Sequence, residues 1–401
     1  MSMDTKALGE FYKEKLLREV EPFWFPRAVD EENGGLYHCY DADGTLVDTD
    51  KCVWAQGRMA WMLLTCYMSI EKRPEWLRYA ESALRFVEER CVDPEDGRLY
   101  FHVAADGTPL RKRRYAYSEC FTAIAWAAHY GATGDAHSAE RARHWFDIYA
   151  DVFFTPGKMQ PKSTGKRPAE NLGCRMIMIV TCQELRKYLG DPEGFYTGWI
   201  DRCIADLRRL FIHDDIRAVL ENVAPDGSVI DHFDERTQNP GHSIEGGWFL
   251  LAEARYRGGD PELVKTACKM IDWALERGWD PKHGGLLYYT DVFGGPVQEY
   301  WHNMKFWWPH DEALIGTCLA YVMTGDEKYA EWHRRIHDWS FAHLQDPEHG
   351  EWYGYCERDG SPANGLKGSI WKSFFHHPRA LWNCAHYFGA ISAPTPVKQP
   401  H

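Results

Sequence analysis

The chain has 401 residues, 44 % of them hydrophobic, and a formal net charge of −13 from 46 basic and 59 acidic side chains. That acidic surplus, relieved only by the short run Arg111-Lys112-Arg113-Arg114, argues against a nucleic-acid binder. No apolar run reaches the ~20 residues of a membrane span, and 12 cysteines without a Cys-x-x-Cys pair argue against a zinc ribbon or thioredoxin-like motif.

The first residues, MSMDTKALGEFYKEKLL, lack the apolar core of a signal peptide, so a soluble, cytoplasmic, reduced protein is expected. Asp30 is followed four residues later by Gly34 and ten further on by Gly44. The same register returns at Asp93, Gly97 and Gly107, at Asp280, Gly284 and Gly294, and at Asp346, Gly350 and Gly360. The first glycines are 63, 187 and 66 residues apart, and the long gap leaves room for two degenerate copies near Gly157 and Gly227. Six units of about 60 residues fill the chain. Each begins with a short hairpin closed by a turn such as Asp43-Gly44 or Asp106-Gly107. Two helices follow: in the first unit Trp54 to Tyr67 is apolar at helical spacing, and Glu75 to Arg90 carries Trp76, Leu77, Ala80, Ala83, Leu84 and Val87 along one stripe. Such a unit cannot bury its apolar face alone. Closing six into a ring does so, which predicts an all-α (α/α)6 barrel of six helical hairpins, residues 1–401 as one domain, with about 391–401 a disordered tail. An open solenoid is the alternative, but polar capping repeats are missing.

Ionisable residues cluster in four places, taken in chain order. Trp54-Ala-Gln-Gly-Arg58 opens a helix after the first hairpin. Asn239-Pro-Gly-His242-Ser-Ile-Glu245 opens another, with His242 and Glu245 on one face. Lys305-Phe-Trp-Trp308-Pro-His-Asp-Glu312 joins two tryptophans to two ionisable groups, and Phe375-His376-His-Pro-Arg379 lies near the end. A single histidine beside a turn is more often a hydrogen-bonded structural residue than a catalyst. Four such sites at helix starts on one side of a closed ring can, however, share one mouth. The chain also holds 18 Trp, 21 Tyr and 19 Phe, which suit a large helical core or a sugar site.

These blocks, together with Ser118-Glu-Cys-Phe121, Gly278-Trp-Asp-Pro-Lys-His-Gly-Gly285 and Asp346-Pro-Glu-His-Gly-Glu-Trp-Tyr353, resemble the N-acylglucosamine 2-epimerase family along the whole chain. The resemblance implies an (α/α)6 barrel and interconversion of N-acetylglucosamine and N-acetylmannosamine through an enediolate. It implies His242 and His376 as the acid–base pair, Arg58 as the enediolate's counter-charge and Glu312 as a catalytic carboxylate. Glu245, Trp54, Tyr117, Asn171, Met176 and Trp308 are implied substrate contacts. No metal and no redox cofactor is implied; some relatives are stimulated by nucleotides such as ATP, and a homodimer acting on a small sugar is expected. Relatives that isomerise aldoses or epimerise cellobiose carry Asn-x-x-x-His where this chain has Asn171-Leu-Gly-Cys-Arg175, which argues against carrying their activity over; epimerisation or isomerisation of another free sugar, of the mannose/glucose or cellobiose type, is the alternative. The rival from another class is a glycoside hydrolase using Glu245 and Glu312. A metal held by His242, Glu245 and His376 is the less favoured arrangement.

Overall fold

A computed structural model describes residues 3–159 and 167–397. Its twelve main helices, in chain order, are α1 (Thr5–Lys15), α2 (Val53–Ser69), α3 (Pro74–Arg90), α4 (Tyr117–Thr133), α5 (Ala136–Phe154) and α6 (Leu172–Leu189), then α7 (Phe195–Asp206), α8 (Pro240–Tyr256), α9 (Pro261–Gly278), α10 (Trp307–Thr324), α11 (Glu327–His343) and α12 (His376–Tyr387). Even-numbered helices form the inner ring and odd-numbered ones wrap outside, each pressed on its inner partner. The predicted (α/α)6 barrel is what forms. Burial explains the layering: α2, α4, α8 and α10 are buried on nearly every side, as a middle layer must be, whereas α3 and α9 bury one stripe.

Closure departs from six consecutive hairpins. Five pairs are sequential, but the sixth joins the chain's first helix to its last, α1 against α12. Tyr12 on α1 ties this seam to α11, its hydroxyl 2.7 Å from Nε2 of His333 and 2.8 Å from Nδ1 of His337. On the inner ring, Trp382 of α12 donates through Nε1 to Ser69 Oγ of α2 at 2.8 Å.

The repeated Asp-to-Gly register builds one loop four times. The N–H of Gly34, Gly97, Gly284 and Gly350 donates to the carbonyl of Asp30, Asp93, Asp280 and Asp346, with each glycine at positive φ. The aspartate then receives a cation from further along the chain. Lys51 Nζ is 2.6 Å from Asp30, Arg113 Nη2 is 2.9 Å from Asp93, and Lys305 and Lys367 reach Asp280 and Asp346 at 3.2 and 2.7 Å. Lys51, Lys305 and Lys367 are wholly buried, so these pairs are internal staples. Of the degenerate copies, Gly227 sits in the same hairpin turn as Gly44, Gly107 and Gly360, donating to the carbonyl three residues earlier. Gly157 lies instead in a turn after α5.

Strands are only two or three residues long. Among the described residues three pairings close local hairpins, Cys39–Tyr40 with Leu46–Asp48, His102–Val103 with Pro109–Arg111 and Ile212–His213 with Ala218–Val219, and four act between repeats. The dipeptide leading into an inner helix pairs antiparallel with the loop of the next unit. Lys51–Cys52 joins His102–Val103, Glu170–Asn171 joins Asn222–Val223, Thr237–Gln238 joins Thr290–Asp291, and Lys305–Phe306 joins Tyr355–Cys356. This belt gathers the N-termini of the inner helices on one face. The segment expected as a tail is seated through residue 397: Ile391 is buried, and the N–H groups of Thr395 and Val397 donate to the carbonyls of Met68 and Gly131. Residues 398–401 lie outside the described part. No two cysteines are joined in a disulfide among the described residues, and all but the partly exposed Cys268 are buried. Among the described residues, no helix is long and apolar enough to cross a membrane.

Candidate active site

Inner helices that start at the loop face direct their positive dipole ends there, favouring negative charge between them. Asn239 begins α8 by accepting the N–H of His242 on its side chain at 3.1 Å. Gly241 follows because any Cβ would come within 2.5 Å of the Trp308 indole. The His242 ring consequently lies against that indole, centroids 4.9 Å apart, and the His376 ring lies 5.8 Å from the same indole. Trp308 thus joins the two imidazoles that α8 and α12 present.

Each imidazole is fixed through Nδ1 by a carboxylate: His242 by Glu221 at 2.9 Å, His376 by Glu312 at 2.7 Å. With Nδ1–H donating, Nε2 carries the lone pair on both rings. Glu312 is fully engaged, since the same Oε1 also takes Arg379 Nη2 at 2.6 Å and its Oε2 takes Trp248 Nε1 at 2.8 Å. Arg379 Nη2 also donates to Glu245 at 2.6 Å. One guanidinium therefore binds two buried carboxylates. Burial, helped by Arg379 and Arg58, holds His376 well below the usual imidazole range, so it is neutral near pH 7.

Arg58, one turn into α2, is differently placed. Its Cζ lies 4.4 Å from the Trp54 ring, 4.1 Å from Phe121 and 4.5 Å from Phe375, and its buried Nε meets no acceptor. Burial first, and then Arg379, pull it down to about 10, with Glu245 opposing, so it stays charged near neutrality. A guanidinium caged by rings with an unused N–H is ready for an oxyanion.

Arg58, His242, Glu245, Trp308, Glu312 and His376 thus come together, with Trp54 beside Arg58 and the Tyr117 ring 6.4 Å beyond Trp54. Asn171 and Met176 are engaged elsewhere. The Asn171 amide donates to the Glu221 carbonyl and the Asn222 side chain, tying down the loop that carries Glu221. Met176 is buried and packs against Gly246 of α8. Arg175 is held by Glu170 at 2.6 Å and Asp206 at 3.4 Å. Glu245, Glu312 and His376 each offer a ligand atom within 4.8 Å of one another, but the cation those carboxylates face is Arg379.

Three residues were missed from the sequence. Arg379 stood inside a quoted block and Trp248 just beyond another, three residues from His376 and from Glu245, so helical spacing could have placed both. Glu221 is 21 residues before His242 in a loop, and nothing local marks it.

Residues 35–380 match the family described as N-acylglucosamine 2-epimerase. The chain is 35% identical to the N-acylglucosamine 2-epimerase of Bos taurus over 382 residues, covering 93% of this chain and 90% of that one. Against the N-acylglucosamine 2-epimerase of Homo sapiens it is 34% identical over 398 residues, covering 96% and 92%. The solved cellobiose 2-epimerase of Bacillus thermoamylovorans superposes with a TM-score of 0.81 at 23% identity, covering 94% of this chain and 99% of that one, and shows the shared fold. By this match along almost its whole length, the chain belongs to the N-acylglucosamine 2-epimerase family.

Proposed function

We propose that this enzyme interconverts N-acetylglucosamine and N-acetylmannosamine by moving the proton at C2, with His242 and His376 as the two bases. The observation that carries the mechanism is the matched pair of Nδ1–carboxylate bonds beside one indole. Epimerisation next to a carbonyl needs a proton removed from one face and another delivered to the opposite face. Two imidazoles, each held through Nδ1 by a carboxylate, can do this, one ring neutral and the other protonated, exchanging states at each turnover. C2 ionisation puts negative charge on the C1 oxygen, and the unpaired Arg58 edge among the helix N-termini stabilises it. Glu312 and Glu221 keep each ring in its tautomer, and Arg379 holds Glu245 and Glu312 in place. Proton transfer and charge balance come from side chains alone.

Two observations favour this reading over its rivals. Glu245 and Glu312 share one guanidinium, so neither is free to deliver the proton a glycosidase needs. Arg175 is bound by Glu170 and Asp206, so that position offers no third base of the kind expected in the aldose isomerases. Incubation of N-acetylglucosamine in heavy water, followed by proton NMR, tests the proposal. N-acetylmannosamine carrying deuterium at C2 is expected. Product formed without solvent label would point to a hydride shift and end the two-histidine assignment, and turnover of cellobiose or mannose alone would move the substrate.

A further inference from the structure

The run Arg111-Lys112-Arg113-Arg114 lies between the strand Pro109–Arg111 and α4, and its four cations divide in two. Lys112 and Arg113 are neutralised by the Asp93 loop, Lys112 by Asp93 and Glu95 and Arg113 by Asp93 and Asp96. Arg111 and Arg114 form no ion pair among the described residues. Both turn to one aromatic shelf instead. The Arg114 guanidinium lies 4.7 Å from the Trp371 ring and 5.8 Å from Trp54, and Arg111 lies 5.1 Å from Phe101. Phe101 and Trp371 are neighbours at 6.1 Å, and Trp371 is 5.8 Å from Trp54. Trp371 stays 37% exposed, so the shelf opens to solvent. Arg114 Nε is buried without an acceptor.

This shelf adjoins the proposed site, because the Trp54 indole that carries Arg114 also carries Arg58 at 4.4 Å. Of the two, Arg114 carries the cost, because its buried Nε–H has no acceptor unless something anionic supplies one, while Arg111 beside it stays exposed. Carboxylates are at hand, since Asp48 and Asp50 act on the neighbouring His102, yet neither pairs with Arg111. A planar guanidinium laid on an indole keeps its N–H edge free and directed, the geometry that binds oxyanions with two parallel hydrogen bonds.

We propose that Arg114, assisted by Arg111, forms an oxyanion subsite at the rim that receives the phosphate of a phosphorylated amino sugar whose ring rests against Trp371. The amino sugar as carrier rests on the function proposed above; the oxyanion subsite rests on the unpaired arginines. Calorimetric titration of the full chain with N-acetylglucosamine, N-acetylglucosamine 6-phosphate and inorganic phosphate reads both parts. The 6-phosphate should bind about 10-fold tighter than the unphosphorylated sugar, the worth of a charge-assisted hydrogen-bond pair. Arg114→Gln should close that gap to within about 2-fold, Arg111→Gln should narrow it, and Lys112→Gln should leave it. Arg114→Lys, which keeps charge without the fork, should recover part of it, and thermal melts confirm that each variant is folded. Inorganic phosphate that binds in an Arg114-dependent way supports the subsite even if no sugar binds, an outcome that would fault the carrier and the epimerase reading instead. Equal affinity for the two sugars with no phosphate binding, or a gap that survives Arg114→Gln, overturns the subsite.

Discussion

The two imidazoles differ in what stands behind their carboxylates. Glu312 shares Oε1 between His376 and Arg379, so its charge is largely spent on the guanidinium. Glu221 serves His242 with Oε2, and its buried Oε1 meets no donor. His376 is therefore the ring that is neutral in the resting enzyme, and His242 the ring whose protonated form has a dedicated counter-charge. In the direction where His376 takes the C2 proton, kcat/KM should hold below pH 6.5, the ordinary midpoint of about 6.5 for imidazole being the wrong one for this ring. An acid limb centred on the ordinary value would contradict the depressed basicity. Replacing either histidine with Ala should slow turnover by at least about 10²-fold, and a variant near wild-type rate would leave the mechanism. Glu221→Gln should lower kcat about 10-fold or more while leaving the fold intact. If only stability changes and kcat stays, Glu221 is a packing residue. Arg58→Lys should lose much of the rate despite keeping the charge, since a point charge cannot hold two adjacent oxygens as a planar fork does.

At the level of helices and loops, the staples decide how firmly the inner helices are aimed. In Asp30 and Asp346, burial alone would raise the carboxyl, but hydrogen bonds from Lys51 and Lys367 and from turn N–H groups win and hold it well below the usual range. A carboxylate depressed in the folded state stabilises above its unfolded midpoint of about 3.9 and loses that contribution as pH falls toward the folded one. The staples' own contribution should thus be constant above about pH 5 and fall below about pH 4, so that Asp30→Asn shows a shallower loss of melting temperature than the parent between about pH 4 and pH 2. Lys51→Met strands Asp30 in the interior and should cost about 3–5 kcal/mol, read from chemical denaturation. Between α2 and α4 the contact is backbone to backbone: a Cβ on Gly57 would come 2.6 Å from the Phe121 carbonyl carbon and oxygen. Gly57→Ala should cost about 1–3 kcal/mol by forcing the helices apart. Because Arg58 is the next residue, activity should fall further than stability; unchanged activity would mean that α2 tolerates the shift.

For the molecule as a whole, closure depends on the first helix. α1 covers α12, which carries His376 and Arg379, and Tyr12 links that seam to His333 and His337. A chain lacking residues 1–20 exposes the apolar back of α12. It should lose both activity and the single cooperative transition expected for the full chain in calorimetry. A truncated protein that melts once, at the wild-type temperature, would show that the barrel closes without α1.

The amino-acid sequence by itself determined the unit and its count. A glycine four residues after an aspartate is a local demand for positive φ, and the α3 stripe is a local period, so both are visible without neighbours. The blocks holding Arg58, His242, Glu312 and His376 were likewise contiguous stretches, each at the start of an inner helix. Tertiary structure alone decided the rest. It chose which helix closes the barrel, because α1 and α12 lie at opposite ends of the chain and only the missing cover on α12 brings them together. It turned the repeated aspartates into staples by bringing lysines from 21 or more residues away into dry positions where only that partner neutralises them. It assigned Glu221 to His242 and withdrew Asn171 and Met176 into support, since what a side chain meets across a barrel depends on packing between helices and leaves no period in the sequence.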